Sequence, residues 1–452
     1  MLEATPAVPP SPEVEAAHAA DVARAEERGE QVPLRKRLRW PFLATFLVEL
    51  LLVLGDRIPS VDSMSYFETG RNFVNGRGYT RNGAPEMHFP PIAPVSFGLL
   101  EKVLGNQMYA LRTWELFWTL AAVGILTAVA WFISREDDVV VATAWIAVTV
   151  PGVVALSIRA GSGSELPVVV MLLASGLLTL LAVDRTSDRS TAKRLGLLVG
   201  AGALVGLAYL TRPEALMPGA VIGLAVVLFA LREPGKTWGQ RFALLVRNGA
   251  AFGFAALLFV APYVNYTHAN SGSWSLTSKT KDASIDAWRA VAQDDRLERD
   301  QILYSIQPDG VSLGPETVSL TAIAREHPRN WLTIAWINTT TIFGDYIGRP
   351  WETGPTWELI PLFLTVPAIW QMWRTRRHGS TLLFVGLGAA PLATCFLFFA
   401  LPRYLMMTTA VLIPFGAWGL VEWTNRLELG KRRLAWWIMG GLMVLSLIVA
   451  SW

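Results

Sequence analysis

Cysteine is almost missing from this chain. A single one, Cys395, stands among 452 residues, which excludes a disulfide framework and a cysteine-ligated metal. It sits in an apolar run and reads as a packing residue. Histidine is scarce too, with five in all, and the spacing of His88, His268 and His327 suits no metal motif. Charge is thin. Asp, Glu, Lys and Arg make up 17% of the chain, against roughly 25% in a soluble domain. No Walker loop, nucleotide fingerprint or nucleophile elbow is present, so nothing in the sequence points to ATP or a nucleotide sugar. No internal repeat stands out, which leaves inverted-repeat transporters without support.

What the chain has is grease. Hydrophobic residues reach 52%, mean hydropathy is +0.38, and there are 19 tryptophans. Most of that surface must be hidden in lipid, and most of the tryptophans fit interfacial belts. A spanning helix needs about 20 apolar residues. That window predicts an all-α integral membrane protein of about eleven spans, near 40–55, 112–133, 139–157, 166–183, 195–211, 215–231, 248–264, 357–373, 381–400, 405–423 and 434–452. The first of these reads as a retained span rather than a cleaved signal peptide.

Charge sets the orientation. The connections RKRLR (35–39), SREDD (134–138), DRTSDRSTAKR (184–194), REPGKTWGQR (232–241), RTRRHG (374–379) and NRLELGKRR (425–433) would share one side, and nearly all are basic. By the positive-inside rule that side is cytoplasmic, with the N-terminus. Residues 1–38 read as a disordered cytoplasmic tail rich in Pro, Ala and Glu. Residues 39–424 read as the main transmembrane unit, and 425–452 as a basic loop with a last span. The opposite face carries two long loops, 56–111 and 265–356. The first is expected to fold back on the membrane through short amphipathic helices. The second, with its amphipathic 280–355 stretch, reads as a lid lying on the membrane. GAGALVG (200–206) lies inside a span and reads as helix packing, not phosphate binding.

Unusual residues crowd that outer face. The first loop holds Asp56, Asp62, Tyr66, Glu68, Tyr79, Glu86 and His88. Outer turns supply Arg159 with Glu165, Arg212 with Glu214, and Arg403 with Tyr404, while the second long loop contributes Trp274 and Lys279. Charges this close to span ends are costly and often mark sites. Arginine matches phosphate by bidentate hydrogen bonding, and a phospholipid head sits at that depth.

The stretch VDSMSYFETGRNFVNGRGY (61–79) resembles the first-loop signature of the GT-C polytopic glycosyltransferases, which include protein O-mannosyltransferases and aminoarabinose transferases. Asp62, Tyr66, Gly76, Gly78 and Tyr79 carry the likeness. FPPIAPVSFGLLEKVLG, SGSEL, GLAYLTRPEAL, PYVNYTHANSGSWSLTSKT and LPRYLMM resemble later landmarks, in order, over about 40–424. One departure is Ser63, where many members carry a second acid; that role is then open to Asp56, Glu68 or Glu86.

The resemblance implies transfer of a sugar from a polyprenyl-phosphate carrier to a glycan, lipid or protein acceptor outside a bacterial plasma membrane, with inversion. Asp62 is the candidate base. Arg403, Arg212, Arg159 and Lys279 would hold the leaving phosphate. Tyr66, Tyr79, His88, Glu165, Glu214, Trp274 and Tyr404 would shape the substrate cleft. A divalent cation, Mg or Mn, on Asp62 is left open. A lipid-glycan flippase and a surface-glycan polymerase or ligase are the competing readings. Span centres that look nearly free of charge speak against the first, and a carboxylate loop directly after span one against the second.

Overall fold

The computed structural model describes residues 33–53, 61–149, 163–184, 189–276, 362–397 and 405–451, with isolated positions 325, 328, 329, 332 and 336. Among them are thirteen α-helices and one two-residue-stranded hairpin. Helix α1 is Leu34–Val53. The first loop folds into α2 (Val61–Val74), strands β1 (Thr80–Arg81) and β2 (Ala84–Pro85), and α3 (Ile92–Leu104). Then come α4 (Gln107–Ser134), α5 (Asp137–Thr149), α6 (Glu165–Val183) and α7 (Thr191–Thr211). A 3-10 turn, Pro213–Ala215, leads into α8 (Leu216–Leu231), followed by α9 (Trp238–Ser271). The last four are α10 (Leu362–Arg374), α11 (Gly379–Leu397), α12 (Met406–Asn425) and α13 (Leu429–Ser451).

Six segments among the described residues are long and apolar enough to cross a bilayer: α4, α6, α7, Pro213–Leu231, α9 and α12. The protein is an all-α multi-pass membrane protein. Six of the roughly eleven span positions read from hydropathy fall on these segments and the others on α1, α5, α10, α11 and α13; the ends differ most at α1 and α9. Helix α1 starts at Leu34 rather than 40, taking the basic run into its first turns. Helix α9 runs from Trp238 to Ser271 rather than 248–264. Its ends are set by local chemistry that a hydropathy window does not see. At the start, the Thr237 hydroxyl accepts the Gln240 amide at 3.4 Å, and the Gln240 side chain accepts the Thr237 amide at 3.2 Å, a capping box. At the finish Gly272 turns left-handed, φ 70°.

Helix ends segregate by charge. At one end Arg37 of α1 meets Asp138 of α5 at 2.6 Å, and Arg432 of α13 approaches the same carboxylate at 3.8 Å. Arg374 of α10 pairs there with Glu422 of α12. The first loop packs at the other end. Small residues bring the elements into contact. A methyl at Gly202 would lie 2.0 Å from the Phe252 carbonyl oxygen, and one at Gly206 2.7 Å from that of Ala256. The GAGALVG stretch is therefore the α7–α9 crossing. In the first loop α2 and α3 cross backbone to backbone: a Cβ on Gly70 would sit 1.9 Å from the Pro94 oxygen.

The span interiors are less clean than the sequence reading holds. Glu49 of α1 is wholly buried, with neither carboxylate oxygen hydrogen-bonded among the described residues, and Glu115 of α4 is 5% exposed. Both lie within largely apolar helices, which a window average hides.

Replacing Gly70 with alanine should lower the thermal midpoint of the detergent-solubilised protein, by a loss of about 1–3 kcal/mol. Gly253→Ala in α9, where a methyl meets nothing within 4 Å, should leave the midpoint unchanged. Equal midpoints for the two variants would show that the α2–α3 contact is not close-packed.

Candidate functional site

Helix α2 opens with Asp62 in its first turn, where the helix dipole favours an anion. One turn on, Tyr66 is 1% exposed and wedged between aromatics, edge-on to Phe89 at 4.7 Å and tilted against Phe97 at 5.8 Å. Its hydroxyl shares a 3.1 Å hydrogen bond with Ser164 Oγ. Burial raises the phenol above its ordinary range. Arg212 opposes that rise, and Glu165 and Asp62 add to it. Tyr66 therefore stays neutral, a polar contact between the acid on α2 and the charges beyond Ser164.

Those charges form a corner. Ser164 immediately precedes α6, and Glu165 is its first residue. Arg212 ends α7 in extended conformation, φ −152°, and Pro213 begins the 3-10 turn behind it. The guanidinium is 3% exposed. Its Nη1 donates to the Glu165 carboxylate and, at 3.0 Å, to Ser164 Oγ; its Nη2 reaches Glu214 at 3.3 Å. Gly163 makes the turn possible. It is left-handed, φ 65°, and an added Cβ would come within 2.8 Å of the Phe97 ring. Trp114 of α4 donates its indole N–H to the Gly163 carbonyl.

The corner borders a cavity of about 60 Å3. Glu165, Arg212 and Glu214 supply its polar wall; Val169, Leu172, Pro218, Met406 and Met407 supply most of the rest. An anion with an apolar tail is the chemistry that matches such a wall, with charge-assisted bonds at one end and hydrocarbon at the other.

The remaining first-loop residues hold the loop itself. Glu86 is 2% exposed and uses both oxygens: Arg81 Nε donates to one, and the His88 and Phe89 amides donate to the other at 2.6 and 3.1 Å. Glu68 accepts the Asn82 amide at 2.8 Å, pinning the hairpin, whose Asn82–Gly83 corner has φ of 52° and 77°. Neither acid is placed beside the Arg212 corner. The Tyr79 hydroxyl donates to the Phe89 carbonyl at 2.7 Å, and burial pushes this phenol up. Helix α9 clamps the assembly: Tyr263 donates to the Met87 carbonyl at 3.0 Å and Tyr266 to the Tyr79 carbonyl at 2.9 Å. His88 packs its ring edge-on to Phe89 at 4.6 Å. Trp274 lies past the end of α9, 70% exposed and stacked on His268 at 3.9 Å.

Five of the residues singled out from sequence thus gather around one corner: Asp62, Tyr66, Glu165, Arg212 and Glu214. Asp56, Arg159, Lys279, Arg403 and Tyr404 lie outside the described residues, as do most of 280–355 and the tail to residue 32. Residues on either side of the 398–404 stretch, Thr394 and Met406, line the cavity. Ser164, Tyr263 and Tyr266 escaped the sequence reading. Ser164 sits inside the quoted SGSEL motif, but a serine among small residues carries no charge to mark it. Among the described residues no group of three or more His, Cys, Asp or Glu side chains could hold a metal.

No family model matches the sequence, and no curated protein matches it. Solved structures do. Residues covering 88% of this chain superpose on 62% of ArnT from Cupriavidus metallidurans bound to undecaprenyl phosphate, with TM-score 0.54 and 15% identity. The apo form of that protein gives 87%, 61%, 0.53 and 15%. The fold is GT-C. The Archaeoglobus fulgidus oligosaccharyltransferase in its apo form is also similar, at TM-score 0.49 and 14% identity over 92% of this chain and 55% of that one. The chain spans less than two thirds of the length of these structures.

Removing both tyrosine hydroxyls of the clamp, Tyr263→Phe with Tyr266→Phe, should weaken the first loop by about 1 kcal/mol per lost hydrogen bond. Amide hydrogen exchange over residues 79–89 should then quicken several-fold, while exchange in α12 stays as it was. Unchanged exchange over 79–89 would show that α9 does not hold the loop.

Proposed function

We propose that this protein is a membrane glycosyltransferase that moves a sugar from a polyprenyl-phosphate carrier to an acceptor on the outer face of the plasma membrane. The observation that carries the reading is the contact chain from α2, the helix that carries Asp62, through Tyr66 and Ser164 to Arg212, at the edge of an apolar cavity. An acid and a cation linked this way suit a reaction in which a proton leaves one partner while negative charge builds on the other.

Asp62 acts as general base on the acceptor hydroxyl or amine. The acceptor attacks the anomeric carbon, the bond to the phosphate oxygen breaks, and configuration inverts. The electron pair stays on the lipid phosphate, where Arg212 stabilises it; Arg403, Arg159 and Lys279 are the further cations of this reading. The apolar cavity wall receives the first part of the polyprenyl tail. Undecaprenyl phosphate, the lipid bound in the ArnT structure, is the chemistry in view. Lys- and Arg-rich connections at the opposite end of the helices support a cytoplasmic N-terminus, and hence an outward site. For a divalent cation, Mg or Mn, the fit is incomplete among the described residues: Glu86 and Glu68 are engaged within the loop, and Glu165 with Arg212. Asp62 is the carboxylate nearest the reacting atoms in this reading, and no step is routed through a metal.

A flippase for a lipid-linked glycan is the second reading, and the buried Glu49 and Glu115 are what favours it. Both lie on α1 and α4, whereas a translocation path would continue across the bilayer.

Asp62→Asn should reduce sugar transfer from a polyprenyl-phosphate sugar by at least about 100-fold, with expression and thermal midpoint kept. Assay of the purified protein with several such donors, read by mass spectrometry of the consumed lipid, checks this. Full transfer by Asp62→Asn would remove Asp62 from the mechanism; transport of the lipid without sugar transfer would establish the flippase.

A further inference from the structure

The geometry points to Glu165 as an internal stand-in for the donor's phosphate: its carboxylate occupies the place on Arg212 that the lipid phosphate must take. This rests on the reading of Arg212 as a phosphate ligand.

Three observations lead here. First, the pair is poorly explained as a stabilising strut. A buried ion pair gains little over apolar packing, because desolvating two charges offsets most of their attraction. Second, the pair is not sealed in the core. Arg212 and Glu165 both form part of the cavity wall, beside the apolar residues that suit a lipid tail. A ligand entering along that wall meets the carboxylate on the guanidinium. Third, the two Nη atoms of Arg212 have different partners. Nη1 is held by Glu165 and Ser164, whereas Nη2 reaches the more exposed Glu214 only at 3.3 Å. An incoming phosphate has two acceptor oxygens for the same fork. A phosphate oxygen that bonds Nη1 competes with Glu165 for it.

The consequence has a sign. If Glu165 only oriented Arg212, removing its charge would weaken phosphate binding. If it competes, removing its charge must tighten binding. Glu165→Gln keeps the volume and a hydrogen-bond acceptor but no longer carries the competing anion, and Glu214 still neutralises the buried guanidinium.

The test uses the full chain in nanodiscs, with binding of undecaprenyl phosphate followed by native mass spectrometry. Glu165→Gln should bind it roughly tenfold more tightly than the wild type, the size of one exchanged charge-assisted hydrogen bond. Undecaprenol, which has the tail and no phosphate, should bind both proteins equally. Weaker or unchanged binding of undecaprenyl phosphate by Glu165→Gln would overturn the inference, as would an equal gain for undecaprenol. A wild type that binds no undecaprenyl phosphate, while folded, would instead overturn the phosphate reading beneath it. Should Glu165→Gln fail to fold, Glu165→Asp, whose shorter arm draws the carboxylate back from Nη1, carries the same expected gain and the same power to refute.

Discussion

A guanidinium held at the end of a membrane helix governs this structure. Arg212 cannot be left bare at 3% exposure, since an uncompensated buried charge is costly. Its neutralisation by Glu165 and Glu214 draws the start of α6 and the start of the 3-10 turn to one point. Ser164 then bridges outward to Tyr66, and so the separately folded first loop acquires a fixed position over the helices. Removing that arginine would take away the one charge that helices α6, α7 and α2 address in common.

The first loop answers the question its sequence poses. Two aspartates, a glutamate, three arginines and two tyrosines within 55–79 look extravagant so close to a bilayer. Among the described ones, Glu68, Arg71 and Tyr79 are structural. Arg71 pairs with Glu101 across the α2–α3 contact at 2.6 Å, and Tyr79 caps the carbonyl of Phe89. Gly76 and Gly78, at φ of 75° and 82°, turn the chain toward the hairpin. Tyr66, one turn after Asp62, is the loop residue that bonds Ser164 at the arginine corner. The loop's polarity serves its own backbone, which would otherwise lack partners at the edge of a lipid.

Legibility followed length scale. The spans could be read because twenty apolar residues are a coarse signal. The GAGALVG crossing could be read because small residues four apart have one common use in membranes. Asp62 and Tyr66 were visible through the resemblance of their stretch to a known first-loop signature. What escaped is short-range or context-bound. The ends of α9 depend on a capping box and a left-handed glycine. Ser164 matters only because Tyr66 and Arg212, 98 and 48 positions away in sequence, meet it. Tyr263 and Tyr266 lie within the PYVNYTHANSGSWSLTSKT stretch, but nothing in it names the loop they bind. Glu49 and Glu115 were averaged away by apolar neighbours.

Those two acids sharpen the choice between enzyme and transporter. Charge inside a span is a poor discriminator by itself, because a buried acid serves a pathway and a helix contact equally well. Continuity separates the two. A path needs polar groups at successive depths on helices that can part. Here Glu49 shares its surroundings with Thr45 and Thr119, both wholly buried, at the interface of α1 with α4. Pro41 lies two turns earlier on α1, and Thr45 bonds its carbonyl at 2.9 Å. That is a local polar patch on one interface. The arginine corner differs in kind: it lines a cavity, it joins three helices, and its tyrosine neighbour also feels the acid on α2. Chemistry that must gather two partners at one point favours the second arrangement, and for that reason the fold's functional weight lies at the helix ends and not along their lengths.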